Sequence, residues 1–367
     1  MKRGAMLVSL SLAVAVSAVG CSDQSESEPR PQDERKTEQT SSPSDMDSKV
    51  LATDLDVPWN IVKHGDIFYI SERPGKIVKI DENGDVHEMP LQLAKNVVQS
   101  GEGGLLGFVL SPDFDASKTA YVYHTYKQNG KLFNHIVKIK WTGNKWIETD
   151  VLLDGIPGGP IHNGGRLKFG PNGKLFATTG DASAEENAQE LDSLSGKILR
   201  MNTDGSIPET NPFSDSYVYS YGHRNPQGLA WSGDGKMYEA EHGLSAHDEI
   251  NLIEPGKNYG WPAIRGEETK EDMVSPLFQS GEETWAPSGL AYYNGALYIA
   301  GLRGEQIRRF DLENHTSKVI FHGAGRLRDI LIQDRAAYVI TNNTDGRGTP
   351  RPHDDRLMKI DLGGGKK

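Results

Sequence analysis

The chain has 367 residues, of which 25% are charged and 36% hydrophobic. That balance suits a globular protein with a sizeable core and is too apolar for a disordered chain. The net charge is -11 and the Lys and Arg residues are scattered, which argues against nucleic-acid binding, since that needs a concentrated basic face.

The first element reads as an export signal. Lys2 and Arg3 form a positive n-region, followed by an apolar run from Ala5 to Val19. The run is short for a membrane span of ~20 residues and has the order of a secretory leader. AVGC then resembles a bacterial lipobox, with Ala18 where Leu is commoner and Cys21 as the acylated residue; an uncleaved anchor is the other reading. Cys21 is the sole cysteine, so an exported domain here must hold together by packing alone. Residues 22 to about 48 are Ser, Glu, Gln, Asp, Lys and Pro with almost no large apolar side chain, and such a segment cannot bury enough surface to fold. The expected organisation is a lipoprotein signal peptide over 1–20, a disordered tether over 21–48 carrying acylated Cys21, and one folded domain over 49–364. The domain is expected at the bacterial cell membrane, facing outside the cytoplasm.

From Val50 onward, short β-like runs alternate with Gly, Asn and Asp, and no long stretch has helical periodicity. The runs repeat. IFYISERPGKIVKIDENGD (67–85), AYVYHTY with HIVKIKWTGNKW (120–146), GKLFATTGDAS with GKILRMNTDGS (173–206), GKMYEAEHG with DEINLIEPGKN (235–258), GALYIAGLRGEQIRRFDLENH (295–315) and AAYVITNN with DRLMKIDLGG (336–364) make six copies. About 50 residues per copy is a β-propeller period. The expected fold is all-β, a six-bladed propeller of four-stranded antiparallel blades.

After the "LYxxxG"-like strand, each copy reaches the same topological position. Glu72 and Arg73, Asp181, Glu241 and His242, Arg303, and Asn342 and Asn343 fall there, so they are expected to ring one rim rather than to be scattered solvated loop residues. YGHRNPQGLAW (221–231) is the densest polar segment. Arg326 and Arg328 lie two apart in a strand-like run, so both can face one side. With Arg224 and Arg303 they form a cationic pocket in an acidic protein, which suits a ligand with several carboxylates or phosphates.

GEGGLLGFVLSPDF, HNGGRLKFGPNGKLFATTGDA, GKILRMNTDGSIPETNPF, YGHRNPQGLAW, EHGLSAHDEINLI and GKNYGWP resemble the soluble PQQ-dependent aldose sugar dehydrogenases of the glucose/sorbosone dehydrogenase family, in order and over nearly all of residues 50–362. The resemblance implies pyrroloquinoline quinone (PQQ), calcium and an aldose substrate. The three carboxylates of PQQ would account for the arginines. It further implies that His162 is the general base, that Asp181 orients and polarises it, and that Arg224 lies over the reactive quinone carbonyl with Asn225 beside it. Arg303, Arg326 and Arg328 would meet cofactor carboxylates, and Glu102 and His242 would border the cofactor. The carbonyls of Gly243 and Leu244 would hold the cofactor's calcium, while Glu249 and Tyr259 match a structural calcium site. Glu102, Ile161, His242 and Leu244 stand where the glucose enzyme has Gln, Asp, Gln and Pro. A carboxylate at Glu102 would oppose the cofactor's own unless an Arg compensates.

A sugar dehydrogenase passes electrons to an external acceptor, quinone or cytochrome. Two other readings stand beside it. A calcium-dependent sugar lactonase on a propeller needs acidic and Asn ligands on one axial metal and has no use for four arginines. A non-catalytic ligand-binding propeller, as in the hedgehog-interacting proteins, has no need of His162, Asp181 and Arg224 together. Of the other histidines, His64, His87, His135 and His322 read as surface or strand positions, and His247 as a solvated member of the calcium loop. The six Trp residues read as blade packing, with Trp261 near the metal turn.

Overall fold

The computed structural model describes residues 46–363; the leader, Cys21 and most of the tether lie outside them. Six antiparallel sheets follow one another along the chain. Blade 1 is built from 58–64, 67–72, 76–80 and 86–89; blade 2 from 105–110, 119–128, 131–141 and 146–157; blade 3 from 167–169, 175–179, 197–201 and 218–221. Blade 4 holds 226–231, 237–241, 249–253 and 278–279, blade 5 holds 287–293, 296–301, 306–311 and 316–322, and blade 6 holds 327–333, 336–341 and 357–361. The expected four-stranded blades are found, with one elaboration: Leu91–Gln92 adds a short fifth strand, parallel to Trp146–Ile147, at the rim of blade 2.

Blade 6 takes its fourth strand from the other end of the domain. Ser48–Ala52 pairs antiparallel with Leu357–Asp361, Ser48 opposite Ile360 and Val50 opposite Met358. This closes the ring and leaves no open edge between first and last blades.

Each blade is covered on both faces by its neighbours. That is why second strands such as Leu175–Thr179 and Met237–Glu241 are buried at every position instead of alternating. Between blades 2 and 3, Leu106, Tyr121, Tyr123 and Ile136 pack on Leu167, Leu175, Ala177 and Leu199. Between blades 6 and 1, Ile340 and Leu357 pack on Ile61, Phe68, Ile70 and Val78. Each fully buried aliphatic or aromatic side chain is worth about 1.5–3 kcal/mol. Along the channel the inner strands are tied by polar groups. Asp329 Oδ2 accepts from Asn60 Nδ2 (3.2 Å), Ile61 N (2.8 Å) and Arg166 Nη1 (3.0 Å), linking blades 6, 1 and 3. The Arg166 guanidinium also lies over the Trp59 ring at 4.3 Å.

Candidate active site

The inner strands begin at one rim of the channel, and the loops entering them carry the candidate residues. His162 precedes the inner strand of blade 3, Asp181 follows its second strand, and two chain passes are locked together there. Ala182 N donates to His162 O (3.1 Å) and Asp181 N to Arg224 O (2.8 Å). The closeness explains the glycine before Asp181. A Cβ on Gly180 would lie 2.1 Å from His162 O, so only glycine allows this approach. His162 has φ 58°, left-handed backbone that is uncommon outside glycine and must be held by its surroundings.

His162 Nδ1 lies 2.8 Å from Asp181 Oδ1. The same oxygen accepts from Ser183 N at 2.8 Å, and Asp181 Oδ2 accepts from Trp261 Nε1 at 2.9 Å. The Asp181 side chain is 2% exposed. Three donors on a buried carboxylate hold it in one place. With the Nδ1 proton given to Asp181, Nε2 is left as a proton acceptor. The other ring of this group is Trp261, whose face carries the Arg224 guanidinium at 5.2 Å. Arg224 Nη1 donates to His242 O (3.2 Å) and Gly243 O (2.8 Å), and Arg224 N to Glu241 Oε2 (2.6 Å). Burial lowers the Arg224 pKa, opposed by the charges of Asp181 and Glu241.

The arginine pair comes together as expected. Arg326 Nη2 donates to Asp345 Oδ2 at 3.0 Å, and Arg328 Nη2 lies 3.8 Å from the same oxygen. Arg328 is further fixed by Asn342 Oδ1 (2.9 Å) and Gln227 Oε1 (2.9 Å). Burial depresses the Arg328 pKa to about 9, against the pull of Asp345. Arg303 is exposed on its loop. The rim residues other than Arg303 and the half-buried His242 are buried and engaged, not solvated. Arg73 clamps the carbonyls of Gly101 and Gly103, Glu241 receives His223 Nδ1 at 3.0 Å, and Asn343 Oδ1 receives Arg326 N at 2.8 Å.

Glu102 has the compensating arginine its position calls for. Arg347 Nη1 lies 2.6 Å from Glu102 Oε1, while Glu102 Oε2 accepts His162 N at 2.9 Å. Burial opposes its ionisation, but the bonds from Arg347 and His162 and the nearby His242 outweigh it and bring the pKa down to about 2.

Several buried polar atoms around this rim have no partner among the described residues: Arg224 Nε, Arg326 Nε, Asn225 Nδ2 and His242 Nε2. Asn225 Oδ1 is used, accepting from Gly164 N at 3.1 Å. Unsatisfied buried groups are costly, and this set, mostly donors, suits a ligand rich in acceptor oxygens. A larger cavity of about 420 Å³, lined by Phe108, Arg166, Lys168, Trp231 and Ile332, opens among the distal halves of the inner strands. It touches none of His162, Asp181 or Arg224, so volume is a poor guide to the chemistry here.

The two residues matched to a structural calcium site, Tyr259 and Glu249, differ in what they have free. The Tyr259 hydroxyl is committed, donating to Leu252 O (2.7 Å) and accepting Glu254 N (2.8 Å), so only its main chain is left to offer a metal. Glu249 instead belongs to a buried acidic cluster that sequence reading did not assemble. Asn251 Nδ2 lies 3.2 Å from Glu239 Oε2, 3.2 Å from Glu241 Oε1 and 3.5 Å from Glu249 Oε2. His223, Glu239 and Glu241 bring ligand atoms within 4.8 Å of one another. Glu239 Oε1 and Asn251 Oδ1 have no partner among the described residues. Burial and the Glu241 charge push the pKa of Glu239 well up and that of Glu249 to about 8. Hard oxygens short of positive charge suit a calcium-like cation. The register explains the cluster, because Glu241 pairs directly with Glu249 across adjacent strands. The other proposed ligands lie nearby. Gly243 O is already bonded by Arg224, and Leu244 O accepts Ala246 N at 2.8 Å, each keeping a second lone pair.

The fold is thus a six-bladed propeller with an imidazole–carboxylate pair and several arginines on one rim, and its relatives place it among the sugar dehydrogenases. The chain belongs to the glucose/sorbosone dehydrogenase family, whose sequence profile matches residues 55–351, and it is an oxidoreductase. It is 35% identical to quinoprotein glucose dehydrogenase B of Acinetobacter calcoaceticus, over 60% of this chain and 53% of that longer protein. It is 30% identical to an aldose sugar dehydrogenase of Escherichia coli, over 83% of this chain and 92% of that one. The PQQ-bound aldose sugar dehydrogenase of Streptomyces coelicolor superposes with a TM-score of 0.80 at 38% identity, covering 87% of this chain and 99% of the other.

Proposed function

We propose that the protein oxidises the anomeric hydroxyl of an aldose sugar to its lactone, using PQQ and calcium, and passes the electrons to an external quinone or cytochrome. The observation that carries this reading is His162, oriented by Asp181 at 2.8 Å, beside arginines with unpaired buried donors. Arg224, Arg326, Arg328, Asn225 and His242 would hold the cofactor's carboxylates and carbonyls, with Arg303 at the edge. Gly243 and Leu244 carbonyls would carry its calcium, and Glu249 with Glu239 and Glu241 would carry a structural one. Bound there, the quinone would accept the C1 hydrogen with its electron pair.

The rest of the work falls to the chain. Nε2 of His162 takes the proton of the C1 hydroxyl, so that the C1–O bond gains double-bond character as C1–H breaks. Asp181 keeps the ring in the right tautomer and stabilises the imidazolium that forms. Trp261 and Ser183 hold the carboxylate still, so little reorganisation accompanies proton transfer. Arg224, fixed on two carbonyls and an indole face, supplies positive charge where an oxyanion develops.

The test is reconstitution. Purified protein given PQQ and calcium should gain quinone absorbance and reduce a redox dye in the presence of aldoses. A protein that binds PQQ but reduces no dye with any aldose would remove this function. Lactone hydrolysis without PQQ would favour the lactonase reading. For the amino-terminus, the Lys2-Arg3 region, apolar run and AVGC support export and acylation at Cys21. Mass spectrometry of the membrane fraction should find lipidated Cys21 as the mature amino-terminus, and an intact Met1 would exclude it.

A further inference from the structure

We propose that Arg347 is a positioning residue for the base, acting through Glu102 on the strained backbone of His162; the inference rests on the assignment of His162 as the base. The observations form one chain. Arg347 lies in the loop that joins the second and third strands of blade 6. It crosses to the loop before blade 2 and binds Glu102 Oε1 at 2.6 Å. The other oxygen, Oε2, accepts the N–H of His162, whose φ is 58°. Glu102 therefore spans the two, one oxygen on each.

Both ends of this bridge are anchored. Glu102 N donates to Pro160 O at 2.8 Å, and Arg73 grips the carbonyls on either side of Glu102. On the other side, Arg347 N donates to Asp345 Oδ1 at 2.9 Å, and Asp345 Oδ2 accepts from Arg326 at 3.0 Å. One short turn thus ties the arginine pair to the base. Without Arg347, the mostly buried Glu102 carboxylate would lose its bonded ion-pair partner and keep only the weaker influence of Arg73, Arg224, Arg328 and His242. It would then swing toward solvent or another cation, and His162 N would lose its acceptor. Residues that hold an unusual backbone angle are those whose loss moves a catalytic group. The Arg347 side chain is 53% exposed, so solvent screens the pair and a moderate effect is expected.

The experiment has an arm that needs no cofactor. In the apo-protein, 13C NMR of the Glu102 carboxyl and the 15N-histidine amide spectrum are recorded for the parent, Arg347→Ala and Arg347→Lys. At neutral pH, Arg347→Ala should shift the Glu102 carboxyl 13C resonance and the His162 amide resonance. Arg347→Lys should restore most of both. In the PQQ-loaded protein, Arg347→Ala should lower kcat roughly three- to tenfold at saturating cofactor, with a smaller change in sugar KM. In a Glu102→Gln background the same substitution should lower kcat no further. An unmoved Glu102 carboxyl resonance and His162 amide in Arg347→Ala overturns the proposal, as does an equal loss of kcat in both backgrounds. If the parent protein oxidises no sugar, the function is wrong, while the apo-protein spectra still decide whether Arg347 positions His162.

Discussion

Asp181→Asn separates orientation from bulk better than any truncation. In the parent, Oδ1 accepts from His162 Nδ1 and Ser183 N, and Oδ2 from Trp261 Nε1. An asparagine offers one acceptor oxygen and one NH2 group to the same three donors. With the NH2 toward Trp261, two donors face each other and a buried indole N–H is left unpaired, at about 1–3 kcal/mol. With the NH2 toward His162, the ring must flip its tautomer. Nδ1 then becomes the acceptor and Nε2 carries the proton, which removes the base. Either outcome also deletes the charge that stabilises the imidazolium. Turnover should fall by roughly 10²–10⁴-fold, the range for a positioned acid–base group, while PQQ affinity changes little because Asp181 faces the ring and the indole. The assay is dye reduction at saturating PQQ and calcium, with cofactor affinity measured separately by absorbance titration. Turnover within a few-fold of the parent would refute the role of Asp181 and the tautomer argument with it.

Arg326→Ala should act the other way, weakening PQQ binding by at least tenfold and leaving turnover near the parent level once the cofactor saturates; absorbance titration and kinetics read the two quantities. If the acidic cluster around Asn251 binds calcium, chelator should lower the melting temperature and calcium restore it, by roughly 4 °C for a ligand at about 100 times its Kd, and Glu239→Gln should blunt the response. The buried pair His124 and His135, with Nε2 atoms 2.5 Å apart, predicts acid sensitivity. Burial holds His124 at about 4, and burial with the neighbouring His124 charge holds His135 at about 3. Because both folded values lie below the ordinary 6.5, the unfolded chain takes up protons first. The contribution is intact above pH 6.5 and is lost as pH falls toward 4, at up to about 1.4 kcal/mol per pH unit for each ring. Urea unfolding between pH 7.5 and 5 should show that slope, and His135→Gln should reduce it; an unchanged slope would remove the pair as its source.

The six-fold repeat and the rim position after each second strand were legible in the sequence because each is local, whereas the roles of His162, Asp181 and Arg224 came only from the family resemblance. A blade is one supersecondary unit, so its turns and strands recur at a fixed period, and a residue's place within the unit gives its rim. The tight Gly180–Asp181 step is equally local. Other features depend on which loops meet, and no period encodes that. Ser48–Ala52, expected to lie at the border of the tether, becomes the outer strand of the last blade only because the ring must close on itself. Trp261, read as packing beside a metal turn, reaches Asp181 because blade 4's outer loop folds back over blade 3. Glu239 looks like an ordinary strand residue, and Glu241 and Glu249 look separate from it, until pairing sets Glu241 opposite Glu249 and burial strips the water from all three. Arg347 sits in a polar loop with no motif, and only blade closure brings it to Glu102. Sequence fixes what each blade can offer at the rim. The twist and closure of the sheets decide which of those groups touch, because side-chain contacts between distant segments follow from packing and not from spacing along the chain.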